Sequence, residues 1–135
     1  MQFGNIPAEG DFLESARLTF TDLEGMPWVE LKPASRRNRR YTNDEMRGAS
    51  KINAIQRQLS NGQLTLEHVE KLEEAARDRA AKFLLVDMGG WIDESGAEVP
   101  FSEASAKALM RALPADQFEE LMRFAGDEAN FRRND

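Results

Sequence analysis

The fold is decided by a stretch that reads Trp91-Ile92-Asp93-Glu94-Ser95-Gly96-Ala97-Glu98-Val99-Pro100-Phe101-Ser102. Asp93 and Gly96 mark a turn, and Val99 is predicted to be extended because the residue before a proline avoids the helical region. Ser102 is the predicted N-cap of a helix. The stretch is rich in large apolar side chains and offers no nucleophile paired with a base. It therefore indicates packing and docking, and favours an interaction protein over an enzyme.

Two short helices are predicted after this stretch. The first covers residues 103–112, and Pro114 then suits the first turn of the second. Gly126 is predicted to end the second helix. Residues 126–135 form, by this reading, a polar and frayed tail. The apolar positions of the two helices are Ala106, Leu109, Met110, Leu113, Phe118, Leu121, Met122 and Ala125.

The strongest periodic segment precedes the stretch and predicts a helix from Thr65 to Met88. Thr65 is its predicted N-cap, and Gly89-Gly90 its predicted stop. Its apolar face comprises Leu66, Val69, Leu72, Ala76, Phe83 and Val86. An earlier helix is predicted to begin at Asn43 or Asp44 and to end at Asn61-Gly62. Its apolar stripe comprises Met46, Ala49, Ile52, Ile55 and Leu59.

The N-terminal part predicts a β-hairpin over residues 12–32. Apolar and polar residues alternate from Ala16 to Phe20, Gly25 and Pro27 supply a turn, and Trp28 opens the second strand. Two strands alone are marginally stable, so we expect the hairpin to pack on helices. The predicted class is α+β, mostly α. A single domain over residues 1–135 would contain the hairpin, a basic loop (33–42), about four helices in a small bundle (43–125) and the tail (126–135).

The composition argues against catalysis and metal binding. The chain has 135 residues, no cysteine and a single histidine, His68, so thiolate chemistry and His-pair metal motifs are excluded. Asp93, Glu94 and Glu98 do not fit the register of a calcium-binding loop, and a solvated turn is favoured. We therefore expect no catalytic residue, no cofactor and no metal site. The chain contains no apolar run of membrane-spanning length, so no membrane association is expected.

The charge distribution is uneven. Residues 32–57 hold eight of the 18 basic residues and two of the 24 acidic ones, so this segment carries +6 and the remainder −12. Such a segment can bind an acidic partner, bind nucleic acid, or fold back on the protein's own acidic surface. Nucleic acid is disfavoured because the chain as a whole is acidic. The candidate binding residues of the basic loop are Arg36, Arg37, Arg39, Arg40 and Tyr41.

A second candidate binding surface is apolar and lies on the two C-terminal helices. Exposed aromatic and methionine side chains normally mark an adaptable binding site. The candidate residues are Met110, Phe118, Leu121, Met122 and Phe124.

The order of these parts resembles the tail assembly chaperones of long-tailed bacteriophages. The resemblance rests on an N-terminal β segment with Trp28, on Phe83-Leu84-Leu85-Val86-Asp87-Met88-Gly89-Gly90-Trp91, on Val99-Pro100-Phe101-Ser102, and on Leu121-Met122-Arg123-Phe124-Ala125-Gly126-Asp127. It implies a non-enzymatic protein of the host bacterial cytoplasm that solubilises the tape measure protein, recruits tail tube subunits, and is absent from the mature virion. The basic loop has no counterpart in this family pattern.

Two other functions stay open at this point. A head–tail joining component, or another small phage structural protein, would share the composition but remain in the virion. A nucleic-acid-binding regulator would use the arginine-rich loop. The charge asymmetry also suggests a homo-oligomer in which the basic loop of one copy contacts the acidic surface of the next.

Overall fold

A computed structural model describes residues 3–58 and 66–133 of the chain. The described part contains strands β1 (Ala16–Thr19), β2 (Trp28–Leu31) and β3 (Leu85–Gly89), and helices α1 (Arg39–Gln58), α2 (Leu66–Phe83), α3 (Glu103–Ala112) and α4 (Ala115–Gly126). Short 3-10 helices cover Glu9–Asp11 and Glu128–Phe131. The predicted α+β class, with an N-terminal hairpin followed by four helices, is confirmed.

The hairpin is part of a three-stranded antiparallel sheet in the order β1-β2-β3. Ala16 pairs with Leu31 and Thr19 with Trp28, while β3 covers the other edge of β2. The prediction that a helix runs to Met88 is therefore wrong, because α2 ends at Phe83. A short apolar run fits a buried strand as well as a helix. Here the strand is the more stable of the two, because β3 forms hydrogen bonds with the backbone groups on the second edge of β2.

The two glycines predicted to stop that helix instead allow a close approach to the hairpin. Gly89 lies against the indole of Trp28, and a Cβ atom there would be 2.5 Å from the ring carbon Cε2. Gly90 adopts a φ of 78°, which favours glycine. The Trp91 indole nitrogen then donates to the Trp28 carbonyl oxygen over 2.9 Å, and the Trp91 ring meets Phe20 edge-on at 5.6 Å. The chain after β3 is thereby fixed against the hairpin.

Helix α1 begins earlier than predicted, at Arg39, so the second part of the expected basic loop is helical. Asn38 is the cap: its side-chain oxygen accepts from the Tyr41 amide over 3.3 Å. Its side-chain nitrogen donates to the Phe83 carbonyl at the end of α2 over 2.8 Å. The Asp44 carboxylate also accepts from Arg79 over 2.8 Å, so α1 and α2 are joined by polar contacts. The predicted residues Leu59, Asn61-Gly62 and Thr65, and the side chains of Ile52 and Ile55, lie outside the described residues.

The start of α3 is as predicted. The Ser102 hydroxyl accepts from the Ser105 amide over 3.0 Å, and the Ser105 hydroxyl accepts from the Ser102 amide over 2.7 Å. This reciprocal capping box satisfies amides that a helix start otherwise leaves unpaired. Helix α4 follows Pro114 directly. The connection between the two helices is thus short.

The C-terminal tail is not frayed up to Arg133, which corrects the prediction for residues 126–135. Phe131 is fully buried and packs against Phe124, with ring centroids 6.1 Å apart. The Leu13 amide donates to the Phe131 carbonyl, and the Arg133 amide donates to the Asp11 carbonyl over 2.8 Å. Burial of one large aromatic side chain outweighs the polar character of its neighbours. The tail therefore joins the N-terminal segment, and residues 134 and 135 lie outside the described part.

Candidate docking surfaces

An apolar groove with a volume of about 440 Å³ lies between the chain that follows β3 and helices α3 and α4. We call it the apolar groove. None of its lining residues is charged. They are Leu23, Met88, Trp91, Ile92, Val99, Ser105, Ala108, Leu109, Ala112, Leu113, Pro114 and Gln117. Ile92 is 67% exposed at its edge. An accessible apolar concavity with an exposed aliphatic side chain is typical of a site that binds another apolar surface.

The outer wall of the apolar groove is a tight turn built from residues 91–99. The Val99 amide donates to the Trp91 carbonyl over 2.8 Å, and Ile92 pairs with Glu98. Within the turn, the Asp93 carboxylate accepts from the Ser95 hydroxyl over 2.6 Å and from the Ala97 amide over 3.0 Å. These hydrogen bonds hold the pKa of Asp93 below its usual range. The wall is therefore pre-organised by the turn itself.

The floor of the groove is the face of α3 that carries Ser105, Ala108, Leu109 and Ala112. These residues follow helical spacing, so they share one side of the helix. The adjoining side of the helix carries the fully buried Met110 and the buried Ala106. Helix α3 is thus anchored in the core along one side, while the groove face beside it consists of Leu109 and three small side chains. Small side chains leave room for a partner above the helix.

The apolar residues predicted to bind a partner lie elsewhere. Met110 and Leu121 are fully buried, so both contribute to the core and not to an exposed face. Phe118, Met122 and Phe124 are half-buried and pack against the core. None of the five lines the apolar groove. The helical period of α3 and α4 was recognised, but it does not show which apolar side faces the sheet.

Three of the residues that line the apolar groove, Trp91, Ile92 and Val99, come from the opening stretch. Trp91 and Val99 were noted there, while Ile92 was not singled out. The sequence feature that could have indicated the groove is the turn from Trp91 to Val99, which comes shortly before α3. One face of that helix carries Ala108 and Ala112. This feature identifies the segment, but only the folded structure shows that the turn and α3 line the same groove.

A second cavity, of about 680 Å³, lies at the other end of the hairpin and is lined by basic side chains. We call it the basic groove. Its cationic residues are Lys32, Arg37, Arg39, Arg40 and Arg133, with Glu14 as the single acidic one in the lining. These residues come from the end of β2, the start of α1 and the tail. The fold therefore brings Arg133 to the predicted basic loop, which the sequence did not indicate.

The predicted basic-loop residues do not act as one mobile segment. Arg37 stacks its guanidinium 3.6 Å from the Phe12 ring centroid and pairs with Glu128 at 3.3 Å. This is the alternative in which the segment folds back on the protein's own surface. Arg36, Arg39 and Arg40 stay exposed. Three of the predicted arginines, Arg37, Arg39 and Arg40, line the basic groove, whereas Arg36 and Tyr41 do not.

Tyr41, predicted as a binding residue of the basic loop, is buried. Its hydroxyl donates to the Glu45 carboxylate over 3.0 Å. Burial, reinforced by the negative charge of Glu45, raises the pKa of Tyr41 to about 12. Because its pKa is raised on folding, the protonated Tyr41 hydroxyl stabilises the folded state. This contribution is fully present at pH values below the ordinary pKa of 10.0, and it is lost as the pH rises toward 12.

We expect the single tyrosine of the chain to titrate with a midpoint near 12 in the folded protein. The near-ultraviolet absorbance of tyrosinate measures this directly, because no other tyrosine contributes. In urea, the midpoint should return to about 10. Glu45→Gln should lower the folded midpoint by removing the negative charge. A folded midpoint near 10 would show that Tyr41 is not buried as described.

The remaining features considered in the sequence are the histidine, metal binding and membrane association. His68 is half-buried in the first turn of α2. Within residues 3–58 and 66–133, no three His, Asp or Glu side chains form a potential metal-binding group. None of the described helices is both long and apolar enough to cross a bilayer.

A comparison with known families gives the origin of the chain. The family described as YdaY prophage protein matches residues 34–135, which include β3, all four helices, most of the apolar groove and four of the five cationic residues of the basic groove. The hairpin strands β1 and β2 lie outside the matched residues. No curated protein and no solved structure gives a significant match. Because the match covers more than half of the sequence, the chain belongs to the YdaY prophage protein family and is a phage-related protein.

Proposed function

We propose that this protein is a phage tail assembly chaperone. In this role it binds the tape measure protein, keeps it soluble in the host bacterial cytoplasm and recruits tail tube subunits. It acts by binding alone, without catalysis or a cofactor, and leaves before the virion is complete. The observation that carries the proposal is the apolar groove with Ile92 exposed at its edge. Membership of a prophage family and the resemblance in the order of parts support it.

The apolar groove suits a helical client. An amphipathic helix presents side chains at spacings of three and four residues, and these insert into a groove between elements of a receptor. The alanines of α3 allow such a helix to approach, while Trp91 and Leu109 offer apolar contact. A groove of this size gives limited burial, so each contact is weak. Weak contacts allow the growing tail tube to displace the chaperone.

The test is co-expression of the full chain with the tape measure protein encoded by the same phage. Wild-type protein should keep the client soluble and remain bound in a pull-down. Ile92→Asp places a charge in the groove edge and should abolish both effects. Ile6→Asp is the matched control, because Ile6 is 60% exposed and does not line the groove. Thermal unfolding should show both variants folded.

Several outcomes would contradict the chaperone function. One is a client that gains no solubility from the wild-type protein. Another is an Ile92→Asp variant that performs as well as wild type. The presence of this chain in purified virions, together with closed rings in solution, would instead favour the head–tail joining component or another structural protein.

The basic groove supports a second candidate function, binding of a polyanion. Five cationic side chains from three segments converge there in a chain whose net charge is −6. Nucleic acid would be retained in a salt-dependent manner, and Arg39→Glu/Arg40→Glu would remove that retention. Self-association on the acidic surface of another copy would respond to the same substitutions but would appear without added nucleic acid. Gel-shift and light-scattering measurements at low salt distinguish the two.

A further inference from the structure

The rim of the apolar groove is acidic. Six exposed acidic residues lie in the segments that supply its uncharged lining residues: Asp22, Glu24, Asp93, Glu94, Glu98 and Asp116. Asp22 and Glu24 flank Leu23, and Asp116 precedes Gln117. The turn that forms the outer wall supplies the other three. The hairpin turn, the turn of residues 91–99 and the start of α4 thus each contribute lining residues and exposed negative charge.

Two contacts place Asp22 and Glu98 at the groove. The Gln117 side-chain nitrogen donates to the Asp22 carboxylate over 3.3 Å, which brings the hairpin turn to the start of α4. Glu98 pairs with Ile92 across the turn, so its backbone lies beside the exposed edge of the groove. The acidic rim therefore follows from the fold and not only from sequence neighbours.

The cations nearest in sequence to the lining residues are directed elsewhere. Arg111 precedes Ala112, but its guanidinium pairs with Asp78 of α2 through contacts of 2.9 and 2.8 Å. Lys107 precedes Ala108, and it lines a different cavity together with Asp78 and Lys82. Neither cation lines the apolar groove. Arg77 donates to the carbonyl of the lining residue Leu113, but this arginine is buried and pairs with Glu73. The residues that line the apolar groove therefore include no cation that would neutralise the carboxylates of the rim.

We infer that the apolar groove selects a cationic amphipathic helix, with an apolar stripe flanked by Lys or Arg. This inference rests on the proposed function and names the chemistry of the client segment. The apolar stripe would fill the groove while the flanking cations meet the carboxylates of the rim. Such charge complementarity sets partner choice and association rate more than total affinity. An acidic helix, or an anionic lipid surface, would meet repulsion from the same rim.

The test uses three synthetic helical peptides that share one apolar stripe and carry Lys, Gln or Glu at the flanking positions. Each is titrated into the full chain by calorimetry at low and at high salt. The Lys peptide should bind about tenfold tighter than the Gln peptide, because several exposed ion pairs of small individual value add up. The Glu peptide should bind most weakly. High salt should reduce the differences in affinity among the three peptides, since exposed charges are screened.

Charge reversal at the rim provides the sharper comparison. Glu24→Lys/Glu98→Lys should move the preference from the Lys peptide to the Glu peptide. These two residues avoid Asp93, whose carboxylate holds the turn together. Glu67→Lys/Glu70→Lys makes the same change in net charge on a separate cavity along α2 and should leave the order of affinities unchanged. This control separates the rim from the overall charge of the protein.

The results separate this inference from the proposed function. Equal binding of all three peptides, or a preference unchanged by Glu24→Lys/Glu98→Lys, would overturn the inference while leaving an apolar docking site. The inference would also fail if no peptide bound but the tape measure protein was still retained through Ile92. Failure of both the peptides and the pull-down would remove the proposed function as well.

Discussion

Arg77→Ala is expected to lower the free energy of unfolding by about 3–5 kcal/mol, because two charge-assisted hydrogen bonds to buried carbonyls are lost. The Arg77 guanidinium donates from Nη1 to the Met110 and Leu113 carbonyl oxygens, each over 2.6 Å. Arg77 is 8% exposed and lies 4.6 Å from the Phe118 ring centroid. One side chain of α2 therefore holds the end of α3 and the start of α4.

The reason for this dependence lies in Pro114. In a continuing helix, the Met110 carbonyl would accept from the amide four residues later, but proline has no amide hydrogen. Arg77 supplies the missing donor, and its positive charge also suits the negative end of α3. Removing it leaves a buried carbonyl without that donor and opens space beside Phe118. Both effects destabilise the folded state.

Urea unfolding followed by circular dichroism measures this effect as a shift of the midpoint. Arg111→Ala is the matched control, since Arg111 also joins α2 and α3 but through an exposed pair with Asp78. It should cost no more than about 1 kcal/mol. If the two variants were equally stable, Arg77 would not hold the helices together as described.

Phe131→Ala is expected to destabilise the protein by about 3–5 kcal/mol, as truncation of a fully buried aromatic side chain typically does. Phe131 is 0% exposed and packs against Phe124. Its loss would also release the pairing of the tail with Phe12 and Leu13. We therefore expect the N-terminal segment to lose its protection together with the tail.

Urea unfolding gives the stability of this variant, and hydrogen exchange reports the N-terminal segment separately. Phe3→Ala is the matched control, because Phe3 is 58% exposed and its truncation should change stability by less than about 0.5 kcal/mol. A Phe131→Ala variant as stable as Phe3→Ala would mean that the tail is not docked. Increased exchange at Leu13 with little global change would show that the tail unfolds as a local unit.

Sequence patterns correctly predicted the elements whose formation depends on residues close together in the chain. Alternation identified the β-hairpin, and Ser102 and Pro114 fixed the starts of α3 and α4. The predictions were wrong for segments whose sequence is compatible with two different conformations. The apolar run before Gly89 forms strand β3 because it pairs with the second edge of β2. The tail is ordered because Phe131 is buried against Phe124.

The candidate site shows the same division. The sequence indicated an apolar docking surface and a basic segment, and it gave their approximate regions. It did not reveal which side of α3 faces the core, so Met110 and Leu121 were assigned to the surface although both are buried. The acidic rim combines Asp22, Glu98 and Asp116, which lie far apart along the chain.

The amino-acid sequence was sufficient to predict the α+β class, the hairpin, the two C-terminal helices and the unequal distribution of charge. These depend on periodicity, caps and composition, which act over a few residues. The third strand, the docked tail, the role of Arg77 and the positions of both grooves became known only from the folded arrangement. Each of these depends on contacts between segments distant in sequence, where burial and unpaired backbone groups outweigh local preference.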